Sequence, residues 1–144
     1  MYKRQDLNWS RIVPGTIRSV LRGERPVLRS DGTYLRDYLY AADVVEAYLL
    51  LAEGAERGEV RGEAFNFGPA RPLTVLELVS ILLRLLERED LAPVILNEAR
   101  AEIHDQYLDA TRARRVLGWE ARSELEEALR ETISWYREFL GSPA

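Results

Sequence analysis

The chain has no cysteine and a single histidine, His104. Disulfides, thiolate nucleophiles and cysteine-based metal sites are therefore excluded, and so is a histidine-rich zinc site. Lys3 is the one lysine among 20 basic residues, so no lysine lies in a predicted core position to form a Schiff base or act as a base with a lowered pKa. We predict no metal site.

The sequence also lacks the spacings typical of common catalytic motifs. No two glycines stand as G-x-G, so neither a dinucleotide fingerprint nor a P-loop is present. No tyrosine is followed four residues later by lysine, which removes one acid/base pair used in hydride transfer, and no serine sits in a nucleophile elbow. Several carboxylates are interpreted as a solvated helix face: Glu124, Glu126, Glu127 and Glu131. We predict no catalytic residue.

An excess of positive charge and a long apolar run are both missing. The net charge of −4 and the pI near 5.2 argue against non-specific nucleic-acid binding, which needs a basic surface to neutralise phosphates. No stretch approaches the roughly 18 consecutive apolar residues that span a bilayer, and residues 1–10 contain no apolar signal-peptide core. We therefore predict no nucleic-acid partner, no membrane partner and a cytoplasmic location.

The composition that remains is that of a folded α/β protein. With 47% hydrophobic and 31% charged residues over a length of 144, the chain is expected to form one compact domain, residues 1–144. The patterns predict a small mixed α/β domain with short strands and about four to five helices. No internal repeat or interdomain linker interrupts it.

Local signals place the predicted elements. Thr74 and Glu77 have capping-box spacing, Ser123 and Glu126 repeat it, and Asp43 is placed to cap the helix that follows it or to favour the positive end of that helix. A turn at residues 30–32 predicts a hairpin-like reversal between the extended runs on either side. Helices are predicted over residues 13–22, 44–53 and 74–88, from Asp109 to 117–118, and over 123–140. Strands are predicted over residues 26–29, 34–40, 64–67, 94–96 and 106–108.

Two polar side chains interrupt predicted strands. Arg36 lies in a largely apolar run, where a buried guanidinium needs an anion or a carboxylate; a salt bridge with Asp37 or another acid is the alternative. Asn66, between two phenylalanines, can hold a phosphate or bond the adjacent loop backbone, which is the commoner use of asparagine. Arg100 and Arg11 lie near element ends, where simple surface exposure is the alternative. No role is assigned to the histidine.

Several ordered motifs together resemble the C-terminal half of the NAD-dependent epimerase/dehydratase family, part of the extended short-chain dehydrogenases/reductases. The closest likeness is to nucleotide-sugar 4,6-dehydratases, particularly the CDP-glucose type. The motifs stand at residues 11–14 (Arg-Ile-Val-Pro), 21–27 (Leu-Arg-Gly-Glu-Arg-Pro-Val) and 30–40 (Ser-Asp-Gly-Thr-Tyr-Leu-Arg-Asp-Tyr-Leu-Tyr) with Asp43. They continue at 65–68 (Phe-Asn-Phe-Gly), 74–78 (Thr-Val-Leu-Glu-Leu), 107–111 (Tyr-Leu-Asp-Ala-Thr) and 117–119 (Leu-Gly-Trp).

In that family this region closes over the nucleoside diphosphate of a sugar substrate. The resemblance implies that Arg36 and Arg100 pair with the pyrophosphate and that Asn66 adds a hydrogen bond nearby. The segment that follows Arg100 departs from the family's more usual Arg-Pro-Gly. The same likeness assigns Pro26, Val27 and Leu28 to the base and ribose, and Asn8 and Arg11 to the approach of the substrate.

The family keeps its glycine-rich NAD site and its tyrosine–lysine pair in an N-terminal Rossmann half that this sequence does not show. The expectation is a substrate-binding domain with no cofactor site of its own, binding a nucleoside-diphosphate sugar and not catalytic in isolation. One alternative is half of a two-chain enzyme, completed by a separate Rossmann-domain polypeptide. Others are a non-catalytic interaction module and an unrelated acidic α/β domain.

Overall fold

The computed structural model describes residues 6–98, 100 and 102–141. Five helices are interspersed with five two-residue strands along this part of the chain, which confirms the predicted small α/β class. The helices are α1 (Ile12–Leu21), α2 (Ala41–Glu53), α3 (Val75–Leu85), α4 (Thr111–Leu117) and α5 (Leu125–Gly141). The strands are β1 (Val27–Leu28), β2 (Leu35–Arg36), β3 (Leu73–Thr74), β4 (Val94–Ile95) and β5 (Asp105–Gln106).

The strands pair over long sequence distances. β1 runs parallel to β4, and β2 lies between β3 and β5, with β2 and β5 parallel. The predicted hairpin between β1 and β2 is therefore wrong, because each of these strands has its partner in a different sheet. The turn at residues 30–32 joins the two sheets instead of closing one.

The chain divides into two compact units built from interleaved segments. Unit 1 consists of the described parts of Met1–Tyr34, Thr74–His104 and Glu124–Ala144, and unit 2 of Leu35–Leu73 and Asp105–Ser123. The single substrate-binding domain over residues 1–144 stays a prediction.

Unit 1 is held together by the packing of α1, α3 and α5. Helix α3 begins at the predicted capping box: the Glu77 N–H donates to the Thr74 hydroxyl at 3.1 Å, and the Thr74 N–H donates to the Glu77 carboxylate at 2.8 Å. The apolar residues of the three helices recur at helical spacing and form the core. The buried ones are Ile17, Val20, Leu78, Val79, Leu82, Leu83, Leu129, Ile133 and Tyr136.

Unit 2 packs α2 and α4 around Trp119, which is 1% exposed. The predicted end of α4 is confirmed, because Gly118 adopts the left-handed conformation (φ 68°) just after the helix. Asp109 stands one residue before the N-cap, Ala110, and its carboxylate accepts a hydrogen bond from the Thr111 N–H at 2.8 Å. The other buried core residues are Ala47, Val60, Ala110, Ala113 and Leu117.

Several local predictions need correction. Asp43 lies in the first turn of α2, at the positive end of the helix, which confirms one of its two predicted roles; its carboxylate does not cap the helix and binds distant backbone amides instead. Residues 64–67 form no strand, the strand predicted at 34–40 shrinks to Leu35–Arg36, and α3 ends at Leu85 instead of near 88. Helix α5 begins at Leu125 and includes Gly141, and the Glu126 carboxylate pairs with Arg84 at 2.7 Å. Over the described residues, no helix has the length and hydropathy to cross a bilayer.

Candidate functional site

The residues predicted to line a base and ribose lie in unit 1, Val27 and Leu28 on β1 and Pro26 directly before it. Their side chains alternate: Pro26 and Leu28 are buried in the core, whereas Val27 is 55% exposed. This alternation follows from strand geometry, in which successive side chains point to opposite faces. Val27 is therefore the member of the three whose side chain a ligand can reach, and the buried two can contribute through their main chain.

Val27 stands on an apolar face of the two-stranded sheet. It lies beside Val94 in the parallel register, and Leu96, two residues further along, points to the same face and is exposed. The pairing continues past the strand, because the Leu96 N–H donates to the Leu28 carbonyl at 2.9 Å. Val27, Val94 and Leu96 thus place apolar side chains on one face of the paired strands.

Arg100 follows strand β4, the partner of β1, within unit 1. The Glu98 N–H donates to the Arg29 carbonyl at 2.7 Å, so the chain that leaves β4 still runs beside the end of β1 two residues before Arg100. The side chain of Arg100 is exposed and has no ion pair within the part of the chain that is described. Its guanidinium is available to an anionic ligand.

Asn8 and Arg11 share one turn before α1. The Asn8 side-chain oxygen accepts bonds from the Ser10 N–H at 3.1 Å and the Ser10 hydroxyl at 2.5 Å, and the Arg11 N–H donates to the Asn8 carbonyl at 3.0 Å. The exposed Arg11 guanidinium pairs with Asp6 at 3.1 Å. Tyr136 anchors this segment, because its hydroxyl donates to the Asp6 carbonyl at 2.6 Å.

In unit 2, Arg36 lies half-buried on β2. Its Nη1 donates to the Leu35 carbonyl at 2.7 Å, and it stands opposite Gln106 in the parallel register. Two residues on, burial raises the pKa of Tyr38 to about 12, while the positive charge of Arg36 acts in the opposite direction. Tyr38 is therefore a neutral phenol at physiological pH.

Buried polar atoms follow Arg36 directly, which sequence reasoning missed. Asp37 Oδ2 accepts a hydrogen bond from the Leu108 N–H at 3.1 Å, while Asp37 Oδ1 and the Tyr38 hydroxyl are buried without a partner among the described residues. Gly68 lies against this carboxylate. The available signal was a carboxylate inside an otherwise apolar run beside a candidate anion ligand.

Asn66 is exposed, and its neighbours are fixed on both sides. Phe65 lies under the Arg112 guanidinium at 5.0 Å, and Phe67 packs edge-on against Trp119 at 4.9 Å. The Asn66 side chain forms no hydrogen bond with any residue in the described ranges, so the local backbone bond weighed as the alternative is not formed there. The amide is presented to solvent on an anchored segment.

The structure thus gathers the candidates into two sets. Unit 1 contains Pro26, Val27 and Leu28, Arg100 after strand β4, and the turn of Asn8 and Arg11. Unit 2 contains Arg36 and Asn66.

The residues do not fit an NAD site of the dinucleotide-binding type. The nine glycines of the sequence are nowhere closer than four positions, as at Gly54 and Gly58, so the tight turn that receives a pyrophosphate in a dinucleotide fold is not encoded. Within the described ranges, no group of three or more acidic or histidine side chains is placed to hold a metal ion.

Comparison with known proteins identifies relatives of this region. Residues 2–68 match the model of the NAD dependent epimerase/dehydratase family. UDP-glucuronic acid decarboxylase 6 of Arabidopsis thaliana is 29% identical over 97% of this chain and 39% of its own length.

Solved structures extend the likeness. UDP-glucose 4-epimerase of Thermotoga maritima, solved with UDP-glucose, superposes with a TM-score of 0.80 and 35% identity over 90% of this chain and 40% of its own. The dTDP-glucose 4,6-dehydratase DesIV of Streptomyces venezuelae, solved with NAD and TDP, gives a TM-score of 0.82 and 26% identity over 92% and 40%. The chain therefore spans about two fifths of each of these relatives. On these matches, the chain is similar over most of its length to the corresponding part of NAD-dependent epimerases and dehydratases.

Proposed function

We propose that this chain binds the nucleoside-diphosphate part of a nucleotide sugar, as the substrate-binding portion of a nucleotide-sugar 4,6-dehydratase or epimerase. One observation carries the proposal: a decarboxylase, an epimerase and a dehydratase all share this region, and each is named for a UDP- or dTDP-linked sugar. The reactions differ, whereas the nucleotide-sugar class is common. The shared region is therefore best explained by binding of that common part.

Two arginines are the proposed ligands of the pyrophosphate, with Asn66 adding a hydrogen bond. The protein carries a net charge of −4, so its overall field repels a dianion and the attraction must come from local cations. Arg36 is half-buried, where charge-assisted hydrogen bonds are weakly screened, and Arg100 is exposed on a different segment. A planar guanidinium can bind two phosphate oxygens at once.

The apolar face around Val27 is the proposed platform for the base, and the main chain of Pro26 and Leu28 supplies polar groups to the base and ribose. Asn8 and Arg11 approach the sugar from the turn before α1. The preferred base is proposed to be cytosine, following the likeness to the CDP-glucose type. The alternatives are the uracil and thymine named for the relatives.

The chain alone is proposed not to catalyse the family's reaction. Hydride transfer to and from the sugar requires NAD held close to the substrate, and the residues of this chain do not fit a dinucleotide site. What the chain contributes is binding and orientation of the substrate.

The test is calorimetric titration with CDP-glucose, UDP-glucose, dTDP-glucose and CMP. A diphosphate sugar should bind, and Arg36→Ala should weaken that binding at least tenfold, since a hydrogen-bonded ion pair is lost. Arg61→Ala, an exposed arginine of the same unit, is the charge-matched control and should bind as the unmodified chain does. Absence of binding of any sugar nucleotide at millimolar concentration would contradict the proposal.

A two-chain enzyme, completed by a Rossmann-domain polypeptide, is the second candidate. It is favoured by one face of α2, on which Val45, Tyr48 and Leu49 are 50%, 69% and 59% exposed. Side chains of this kind are depleted at ordinary surfaces and enriched at protein interfaces. Light scattering of this chain mixed with the Rossmann half of a relative should show a 1:1 complex that Tyr48→Glu abolishes. Two separate species would count against it.

A further inference from the structure

We propose that His104 is a positioning residue for Arg100: its hydrogen bond to Thr33 fixes the far end of the loop that presents Arg100 to the pyrophosphate. The inference rests on the proposed function, because it concerns the same anion site. The Arg100 loop is defined here as the described residues Arg100, Glu102 and Ile103.

The near end of the Arg100 loop is fixed by backbone pairing. The Glu98 N–H donates to the Arg29 carbonyl at 2.7 Å, which extends the parallel pairing of β1 with β4. This bond depends on no side chain, so the attachment is insensitive to local sequence.

The far end is fixed by side chains. His104 Nε2 lies 3.1 Å from the Thr33 hydroxyl, and the His104 ring lies against the Tyr34 ring with 5.0 Å between centroids. Both ends of the Arg100 loop are therefore attached to one short stretch of chain, Arg29 to Tyr34.

The hydrogen-bond chain has a defined direction. The Thr33 hydroxyl donates its one hydrogen to Asp31 Oδ1 at 2.8 Å, so towards His104 it can only accept, and His104 Nε2 donates. Hydrogen bonds from the Thr33 backbone and side chain lower the pKa of Asp31, and the nearby His104 adds to this effect. Asp31 is therefore an anion that polarises the Thr33 hydroxyl as an acceptor.

The stretch that receives the far end is itself rigid. Gly32 is buried with φ 90°, its carbonyl accepts a hydrogen bond from the Leu76 N–H at 2.9 Å, and the Tyr34 carbonyl accepts one from the Val75 N–H at 3.1 Å. The turn thus rests on the first residues of α3, the helix with the complete capping box. A side chain tied to this turn is tied to the core of unit 1.

Fixing both ends reduces the entropy that the Arg100 loop loses when a ligand binds. A loop attached at one end samples many positions of the guanidinium, and each must be given up on pairing with a phosphate. Loss of the Thr33–His104 bond should therefore weaken binding through Arg100 and through no other contact.

The test compares variants in affinity for UDP-glucose and CDP-glucose. His104→Ala and Thr33→Val should each weaken binding about fivefold, the effect of one hydrogen bond. His104→Gln and Thr33→Ser, which keep a donor and an acceptor, should restore most of it. In an Arg100→Ala background, His104→Ala should cause no further loss. A merely structural role for His104 would weaken binding equally in both backgrounds.

A second readout needs no ligand. Trypsin cleaves after arginine, so cleavage after Arg100, followed by mass spectrometry of the full chain, should be about fivefold faster in His104→Ala and unchanged in His104→Gln. Unaltered cleavage, or unaltered affinity in His104→Ala while Arg100→Ala binds weakly, overturns the inference and leaves the proposed function standing. If the unmodified chain binds neither sugar nucleotide, the proposed function fails and the ligand role of His104 fails with it.

Discussion

The indole N–H of Trp119 donates a hydrogen bond to the main-chain carbonyl of Asp43 at 3.1 Å, across 76 positions of sequence. The Asp43 carboxylate, itself 4% exposed, accepts bonds from the Arg122 and Ser123 N–H groups at 3.0 and 3.3 Å. One residue of α2 thus holds the segment that follows α4 through three hydrogen bonds. These bonds attach α2 to the last segment of unit 2.

Replacing Asp43 by alanine should lower the free energy of unfolding by about 2–3 kcal/mol, because two backbone N–H groups lose a charged acceptor that is itself buried. Urea denaturation followed by tryptophan fluorescence measures the change. The matched control is Glu46→Ala, which removes a surface ion pair with Arg122 at 3.2 Å and should cost about 0.5 kcal/mol or less. Equal losses in the two variants would contradict the assigned role of Asp43.

Gly68 is required by close packing. A Cβ at this position would overlap Asp37 Oδ2 and lie 3.2 Å from the Leu108 Cβ. Gly68→Ala should therefore destabilise the protein by about 1–3 kcal/mol. Gly58→Ala, where an added Cβ meets nothing within 4 Å, should be neutral or slightly stabilising. Thermal unfolding of the two variants measures both effects. A Gly68→Ala protein as stable as the unmodified chain would refute the packing argument.

The start of α3 should contribute to acid sensitivity. Hydrogen bonds from the Thr74 backbone and side chain lower the pKa of Glu77 below its ordinary value of 4.5. The resulting stability is present above that value and is lost as the pH falls through the lower pKa of the folded state. Between pH 6 and pH 3, Glu77→Gln should lose less stability than the unmodified protein. Equal loss of stability with falling pH in Glu77→Gln and in the unmodified protein would contradict this assignment. The control Thr74→Ser should keep the stability profile of the unmodified protein.

Exposure separates Val27 from its neighbour Leu28. Leu28 is 1% exposed, so replacing it by alanine should lower the free energy of unfolding by about 3 kcal/mol. Val27→Ala should leave stability within about 0.5 kcal/mol and weaken sugar-nucleotide binding two- to threefold, since an exposed side chain contributes mainly through the ligand. Calorimetric titration and denaturation of both variants measure this. Loss of stability without loss of affinity at Val27 would remove it from the site.

Locally encoded elements were predictable from the sequence. Thr74 and Glu77 place the start of α3, and Gly118 places the end of α4, because capping and left-handed glycine act within one turn of the helix. The strand predicted at residues 64–67 was wrong for a tertiary reason. The two phenylalanines that suggested a strand pack against side chains instead, Phe65 against Arg112 and Phe67 against Trp119.

Non-local pairing was beyond the reach of sequence patterns. β1 joins β4, and β2 joins β5, about 70 positions away in each case, as the Leu35–Asp105 register shows. A turn signal at Gly32 cannot reveal such partners, so a hairpin was predicted. The predicted cap at Asp43 was wrong for the same reason, since the N–H groups that donate to its carboxylate lie 79 and 80 positions further on. For the candidate site, the sequence indicated which residues are candidates, but it did not indicate that Pro26 and Leu28 are buried.

The central claim is recognition of a diphosphate by Arg36. The most direct measurement is the ratio of dissociation constants for CDP and CMP, taken for the unmodified chain and for Arg36→Ala, because comparing two ligands on one protein cancels general effects on folding. The unmodified chain should prefer the diphosphate at least tenfold, and Arg36→Ala should lose most of that preference. Equal affinity for the two nucleotides, or a preference that survives in Arg36→Ala, would contradict the claim.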